Sequence, residues 1–256
     1  MTTLRTSHLP TGWQPAADTL ADRVVLVTGA YGGLGGAVAR AASRAGATVV
    51  ITGKRKRQLE QLYDAMLAEG LAEPVIHPLD MEVATPRDYA TLAEGLERDF
   101  GRLDGIVHAA VSFGGLTPIS MHKPDAWLRS MHVNVNAPFA LTQACLPLLT
   151  QAADSAVVFV LDDPALLQRA HWGGYGASKA ALERFVAILH EETDSGPLRT
   201  HAMLPAPMRT ALRQLAYFGE DILQRPLPDA AAAAAVYLLG VQGAAARGTV
   251  LDLRAG

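Results

Sequence analysis

Cysteine is almost absent from the chain: Cys145 stands alone among 256 residues. An intramolecular disulfide is therefore impossible, and a cysteine-built zinc site has no sequence support. Cys145, beside Leu146, reads as a small buried hydrophobe. A basic excess is also missing. The 22 Lys and Arg face 25 Asp and Glu, for a formal net charge of −3, so the charge balance points neither to nucleic acid nor to an anionic membrane. No apolar run reaches the ~18 residues that cross a bilayer. The opening stretch, MTTLRTSHLPTGWQPAADTL, lacks the apolar centre of a signal peptide. Residues 1–20 read as an extension, loose or packed on the outside, ahead of a single domain over residues 21–256. No linker or composition shift divides that domain. These absences fit a reducing cytoplasm.

What the chain does contain is apolar mass, 50% of its residues, enough for one large core. Short β-branched runs alternate with helical stretches. Val24–Thr28 (VVLVT) reads as a strand buried on both faces, and Gly33–Ala45 as a helix. Strands at Ala47–Thr52, Pro74–His77, Leu103–His108, Ala156–Leu161, Arg199–Leu204 and Thr249–Leu253 follow. Helices are expected over Lys56–Glu69, Pro86–Phe100, Asp125–Gln151, Gly174–Glu192 and from the alanine run Ala230–Ala235. Such alternation implies right-handed crossovers and one doubly wound parallel α/β sheet of about seven strands, with helices on both faces. Ligands of these sheets bind outside the strand carboxyl ends.

The first of these strands runs into Thr28-Gly29-Ala30-Tyr31-Gly32-Gly33-Leu34-Gly35-Gly36. Glycines allow a tight turn and let a phosphate approach bare backbone. The helix that follows presents unpaired N–H groups and a partial positive charge to that phosphate. The second strand ends in Gly53-Lys54-Arg55-Lys56-Arg57, without the carboxylate that would hold a ribose hydroxyl and favour NAD. Cations there suit the extra phosphate of NADP. The bland alternative is a charged helix start, but cations at a helix N-terminus oppose the dipole. Lys54 and Arg55 are thus candidates for that phosphate, and NADP(H) is expected over NAD(H).

Tyr175-Gly-Ala-Ser-Lys179 opens a helix, placing a phenol and an amine one turn apart on one face. An ammonium near a phenol lowers its pKa and equips it for acid–base work near neutrality. Together with the glycine turn and the strand order, this pair resembles the short-chain dehydrogenase/reductase family, from about Arg23 to Leu253. The resemblance implies that Gly29, Gly33, Leu34 and Gly35 line a pyrophosphate, and that Asp80 holds an adenine amino group. Tyr31, Met81, Ala109 and Thr210 would complete the cofactor contacts. Tyr175 would protonate a carbonyl as hydride arrives, and Lys179 would hold the nicotinamide ribose. Asn134 matches the family's helix asparagine. Pro138 has no N–H to offer the carbonyl four residues back, so Asn134 either holds a relay water or marks a kink. By the same resemblance the protein would act on a small molecule and assemble as a homodimer or homotetramer. Ala180, Ala181, Phe185 and Leu189 supply either the contact face or the face turned to the chain's own sheet.

Three positions depart from the family pattern. Asp162 stands thirteen residues before Tyr175, where the family has a serine. An ionised carboxylate only accepts hydrogen bonds and would raise the phenol's pKa. Asp162 either stays protonated and donates as serine does, or pairs with Lys179, or faces solvent. Val111 and Ala206 replace glycines beside the nicotinamide end. His108 reads as structural, because no metal-ligand partners stand at suitable spacing. The segment Leu212, Leu215, Tyr217, Phe218 reads either as an apolar lid or as ordinary packing. The chemistry expected is NADP(H)-dependent interconversion of a carbonyl and an alcohol. The competing expectation is a nucleotide-binding sensor or scaffold with impaired catalysis; a third is a protein that binds no nucleotide.

Overall fold

The computed structural model describes residues 4–254; residues 1–3 of the extension and 255–256 of the domain lie outside the described residues. In chain order the strands are β1 (Arg5–Ser7), β2 (Val24–Thr28), β3 (Thr48–Gly53), β4 (Val75–Pro78), β5 (Gly105–His108), β6 (Ser155–Val160), β7 (Leu198–Leu204) and β8 (Thr249–Asp252). The α-helices are α1 (Gly33–Arg44), α2 (Lys56–Ala68), α3 (Pro86–Phe100), α4 (Pro124–Met131), α5 (Ala137–Gln151), α6 (Pro164–Leu167), α7 (Gly173–Thr193), α8 (Ala211–Ala216) and α9 (Asp229–Leu239). The strands lie in the order β1-β8-β7-β6-β5-β2-β3-β4, and every neighbouring pair is parallel. All five residues of β2 are buried, as expected for a strand covered on both sides. Chain direction across the sheet reverses between β2 and β5, and the glycine turn leaves β2 at that switch point.

One apolar layer holds α1, α2 and α9. The alanine run contributes Ala231, Ala232, Ala234 and Ala235 to it, against Val38, Ala39 and Ala42 of α1. Small side chains on both helices let their backbones approach closely. The opposite layer holds α3, α5 and α7, where Leu92, Leu96, Leu141, Cys145, Leu182 and Val186 cover the other face. Cys145 is fully buried, and burial pushes its thiol up to about 12, so it behaves as a hydrophobe. Arg199 is a buried charge made tolerable by its partners: it forks onto Asp154 and donates to the carbonyls of Leu238 and Leu239, which end α9.

Two features differ from the sequence expectation. The sheet has eight strands among the described residues, not about seven. The additional one, β1, pairs with β8 at the edge (Arg5 opposite Thr249, Ser7 opposite Leu251), and Ser7 Oγ lies 2.6 Å from Thr249 Oγ1. Its three polar residues carry no apolar signal, because an edge strand is held through its backbone. Residues of the extension are packed: Leu20 is fully buried, and the Trp13 ring meets Tyr237 edge-on at 5.2 Å. The second difference is the expected helix over 125–151, which is divided. Between α4 and α5 the backbone widens into a π-turn over His132–Asn136, where the Ala137 N–H reaches His132 O. Pro138, with no N–H, cannot continue the ladder, and a wider turn spreads that interruption over several residues.

Candidate active site

The turn after β2 is shaped for close approach. Gly29 has φ +61°, and a Cβ on it would stand 2.6 Å from Ala110 Cα. A Cβ on Gly35 would stand 2.3 Å from Gly29 O, so neither position accepts a side chain without movement. A Cβ on Gly33 would meet Thr210 Cγ2 at 3.2 Å, which places Thr210 directly over the turn. Thr210 also caps α8, accepting from Arg213 N at 3.2 Å. At the N-terminus of α1 no side chain caps the helix and no acidic residue stands in the first turn. The N–H groups of that turn are left for an outside acceptor. Thr28 locks the turn to β5: its Oγ1 accepts from Ala109 N and Ala110 N at 3.1 and 3.0 Å.

A cleft of about 520 Å³ opens over this turn. Gly33, Leu34, Gly35, Arg55, Ala109, Val111, Asp162, Tyr175, Lys179 and Thr210 all line it. Leu212, Leu215 and Tyr217 reach the cleft as the lid reading expected, whereas Phe218 is 94% exposed and does not line it. Val111 is 40% exposed, its side chain on the cleft wall. Ala206 lines the cleft with Pro205 and Pro207.

Beyond β3, the two leading cations part company. Lys54 forms an ion pair with Glu82, which also faces Arg129 at 3.8 Å. Arg55, exposed and on the cleft wall, has no carboxylate partner among the described residues. The Tyr31 ring lies over Gly53, where a Cβ would come within 2.6 Å of it. Burial raises the Tyr31 pKa, with Lys54 and Arg55 opposing. After β4, Asp80 accepts from Glu82 N at 3.0 Å and Met81 is buried. Neither lines the main cleft.

Tyr175 and Lys179 share one face of α7, as their spacing requires, and both are buried. Lys179 Nζ donates to Val160 O at 2.7 Å and lies 5.8 Å from the centre of the Tyr175 ring. Burial lowers the Lys179 pKa to about 8, Asp162 opposing. Tyr175 goes the other way. Burial raises its phenol well above the usual value, and Asp162 adds to the rise through its charge and its hydrogen bond. Desolvation and a carboxylate, rather than the neighbouring lysine, thus set the phenol. The Tyr175 hydroxyl donates to Asp162 Oδ2 at 2.7 Å, and Asp162 Oδ1 accepts from Asp163 N, also at 2.7 Å. Asp162 is therefore an acceptor toward the phenol, half-buried, and not paired with Lys179.

Asn134 sits in the π-turn, 1% exposed. Its Oδ1 accepts from Ser112 N at 2.7 Å. Its Nδ2 donates to Ser112 O at 3.0 Å and to Ser178 Oγ at 2.9 Å. The amide thus clamps the loop after β5 to α7, and Ser178 in turn donates to Tyr175 O at 2.7 Å. His108 is buried, stacked on Phe159 at 4.7 Å, with Nε2 2.9 Å from Thr142 Oγ1. Burial pushes its pKa down to about 3, so it is neutral and structural. Leu189 is buried toward the chain's own sheet, while Ala180 is exposed. Sequence reasoning did not single out Ser112, Phe113, Trp172 or Glu82, whose roles arise only from contacts across the fold.

The sequence profile described as short chain dehydrogenase matches residues 23–218. The chain belongs to the short chain dehydrogenase family. It is 35% identical over 244 residues to the "Uncharacterized oxidoreductase YciK" of Escherichia coli K12, covering 95% of this chain and 96% of that protein. Among solved structures, a short chain dehydrogenase from Pseudomonas syringae superposes with TM-score 0.88 at 35% identity, over 94% of this chain and 98% of that one. One from Escherichia coli CFT073, complexed with NADPH, superposes with TM-score 0.89 at 36% identity, over 93% and 99%. The glycine turn, Tyr175 and Lys179 meet in one cleft of this chain. Among the described residues no helix is long and apolar enough to cross a membrane.

Proposed function

We propose that the protein is an NADP(H)-dependent oxidoreductase that interconverts a carbonyl and an alcohol. The observation that carries this reading is one cleft lined both by a bare glycine turn and by buried Tyr175 and Lys179. The residues fit a dinucleotide: Gly29, Gly33 and Gly35 leave a cradle that side chains would fill, and the N-terminus of α1 offers free N–H donors. Gly29, Gly33, Leu34 and Gly35 would hold the diphosphate, and Arg55, with Lys54 if it leaves Glu82, the additional phosphate. Tyr31, Asp80 and Met81 would border the adenosine, Ala109, Lys179 and Thr210 the nicotinamide end. That solved relatives carry NADP or NADPH supports the choice of cofactor. The bound cofactor supplies or accepts a hydride.

The chain's own residues do the rest. Tyr175 would give its phenolic proton to the substrate oxygen, a general acid in reduction and a base in oxidation. Lys179, fixed by Val160 O, keeps a positive charge beside the phenol as that proton leaves. Asn134 is a positioning residue: its clamp between Ser112 and Ser178 sets the height of α7 against the cleft. A cytoplasmic homodimer or homotetramer is the setting we propose, in keeping with the single buried cysteine. The test is NADPH oxidation against a panel of aldehydes and ketones. Turnover with NADPH supports the reading; tight NADPH binding with no turnover across the panel would favour a sensor or scaffold instead.

A further inference from the structure

Asp162 gives the cleft a feature that a neutral carbonyl compound does not use. Its two oxygens accept from Tyr175 and from Asp163 N. Among the described residues no cation lies within ion-pair distance of it. The neighbouring Asp163 takes Arg254 at 2.7 Å, Arg213 is held by Glu220, and Lys179 is turned to Val160 O. The carboxylate therefore borders the cleft with spare lone pairs and no direct ion pair, Lys179 feeling its charge from across the site. Four aromatic rings share its cleft; Arg213 already lies 4.3 Å from the centre of the Tyr217 ring and Lys179 5.8 Å from that of Tyr175, which leaves the Phe113 and Trp172 rings without a cation among the described residues. Phe113 is 5.0 Å from Tyr175 and 5.6 Å from Trp172, Trp172 is 5.9 Å from Tyr175, and Tyr217 is 6.1 Å from Trp172. All four line the cleft with Asp162. A carboxylate beside aromatic rings is a site for an organic ammonium, which donates to the first and is attracted by the second.

Resting on the proposed carbonyl chemistry, we infer that the substrate is an aminoketone or the matching amino alcohol, with an ammonium next to the reacting carbon that binds Asp162 and frees the Tyr175 hydroxyl. Without such a cation, Tyr175 gives its proton's hydrogen bond to Asp162 and not to a carbonyl oxygen. An ammonium on Asp162 neutralises the carboxylate and replaces the phenol as its donor, so the phenol turns to the substrate. In reduction the carbonyl carbon gains a hydride from the reduced nicotinamide and a new C–H bond. The carbonyl π pair passes to oxygen, which takes the phenolic proton, and water restores that proton to Tyr175. The ammonium keeps its protons throughout. The substrate thus brings the charge that its own catalysis needs, and selection against neutral ketones follows.

The experiment compares matched ketones with NADPH at a pH where the amine is charged: α-aminoacetophenone against propiophenone, and two further pairs of the same design. The expected result is a kcat/KM preference for the amino member on the order of ten- to a hundredfold, the size of a charge-assisted contact. Asp162→Asn keeps the shape and removes the charge. It should abolish the preference and raise propiophenone turnover. Equal rates in the wild type, or a preference that survives in Asp162→Asn, would overturn the inference while leaving the carbonyl chemistry standing. So would turnover of the neutral ketones with NADPH and of no amino member. Failure to bind NADPH would instead overturn the reading on which the inference rests.

Discussion

Removing the Arg55 guanidinium tests the division of labour between the two cations that follow β3. Arg55 lines the cleft with no carboxylate partner among the described residues, whereas Lys54 must first leave Glu82. A guanidinium–phosphate hydrogen bond contributes about 1.5–3 kcal/mol. For an exposed side chain the lower half of that range applies, about 2 kcal/mol, which converts to roughly a thirtyfold loss of NADPH affinity in Arg55→Ala. Lys54 surrenders an exposed ion pair of about 0–1 kcal/mol on engaging phosphate, so Lys54→Ala should cost less, roughly fivefold. Glu82→Gln, which releases Lys54, should tighten NADPH binding a few-fold. NADH lacks the extra phosphate and should respond to none of the three. Fluorescence titration of both cofactors reads each effect as a dissociation constant. Equal loss for NADPH and NADH in Arg55→Ala, or no loss for either, would refute the assignment of the phosphate to this residue.

Tyr175→Phe removes the phenolic proton without disturbing the glycine turn; single-turnover rates should fall by about 10²–10⁴ while NADPH affinity stays within about twofold. Gly35→Ala forces a Cβ to within 2.3 Å of Gly29 O. The turn must open, and thermal melts with and without NADPH should show both a lower Tm and loss of the cofactor's stabilisation. His108 and His201 are both buried with pKa values lowered to about 3, burial being the main cause. Their folded values lie below the unfolded 6.5. The stability they contribute is therefore present above 6.5 and lost as pH falls toward 3, at about 1.4 kcal/mol per pH unit for each proton. Denaturant unfolding of His108→Gln should show a slope shallower by one proton over that window.

The alternation of buried strands with helices was legible because a strand covered on both faces is a continuous apolar run, as in Val24–Thr28. The edge strand Arg5–Ser7 was not, since its pairing with β8 runs through backbone that no side-chain pattern reports. Pro138 announced an interruption near Asn134, but not the π-turn that takes it up nor its packing against α7 through the Asn134–Ser178 hydrogen bond. At the site, the identities of Gly29, Gly35, Tyr175, Lys179 and Asp162 could be read from the chain. Their partners could not. Glu82 lies 28 residues from Lys54, and the carbonyl that fixes Lys179 belongs to Val160, 19 residues away. Asp162 shows the difference most clearly. Its chemistry as an acceptor was readable from residue type, while the choice among protonation, lysine pairing and solvent gave way to a contact with Tyr175 that only the fold defines.

The most direct measurement is a side-by-side titration of the wild-type protein with NADPH and NADH, followed by cofactor fluorescence. Saturable binding of NADPH at least about tenfold tighter than NADH is the predicted result. No fluorescence change up to millimolar NADPH, or equal affinity for the two, would contradict it.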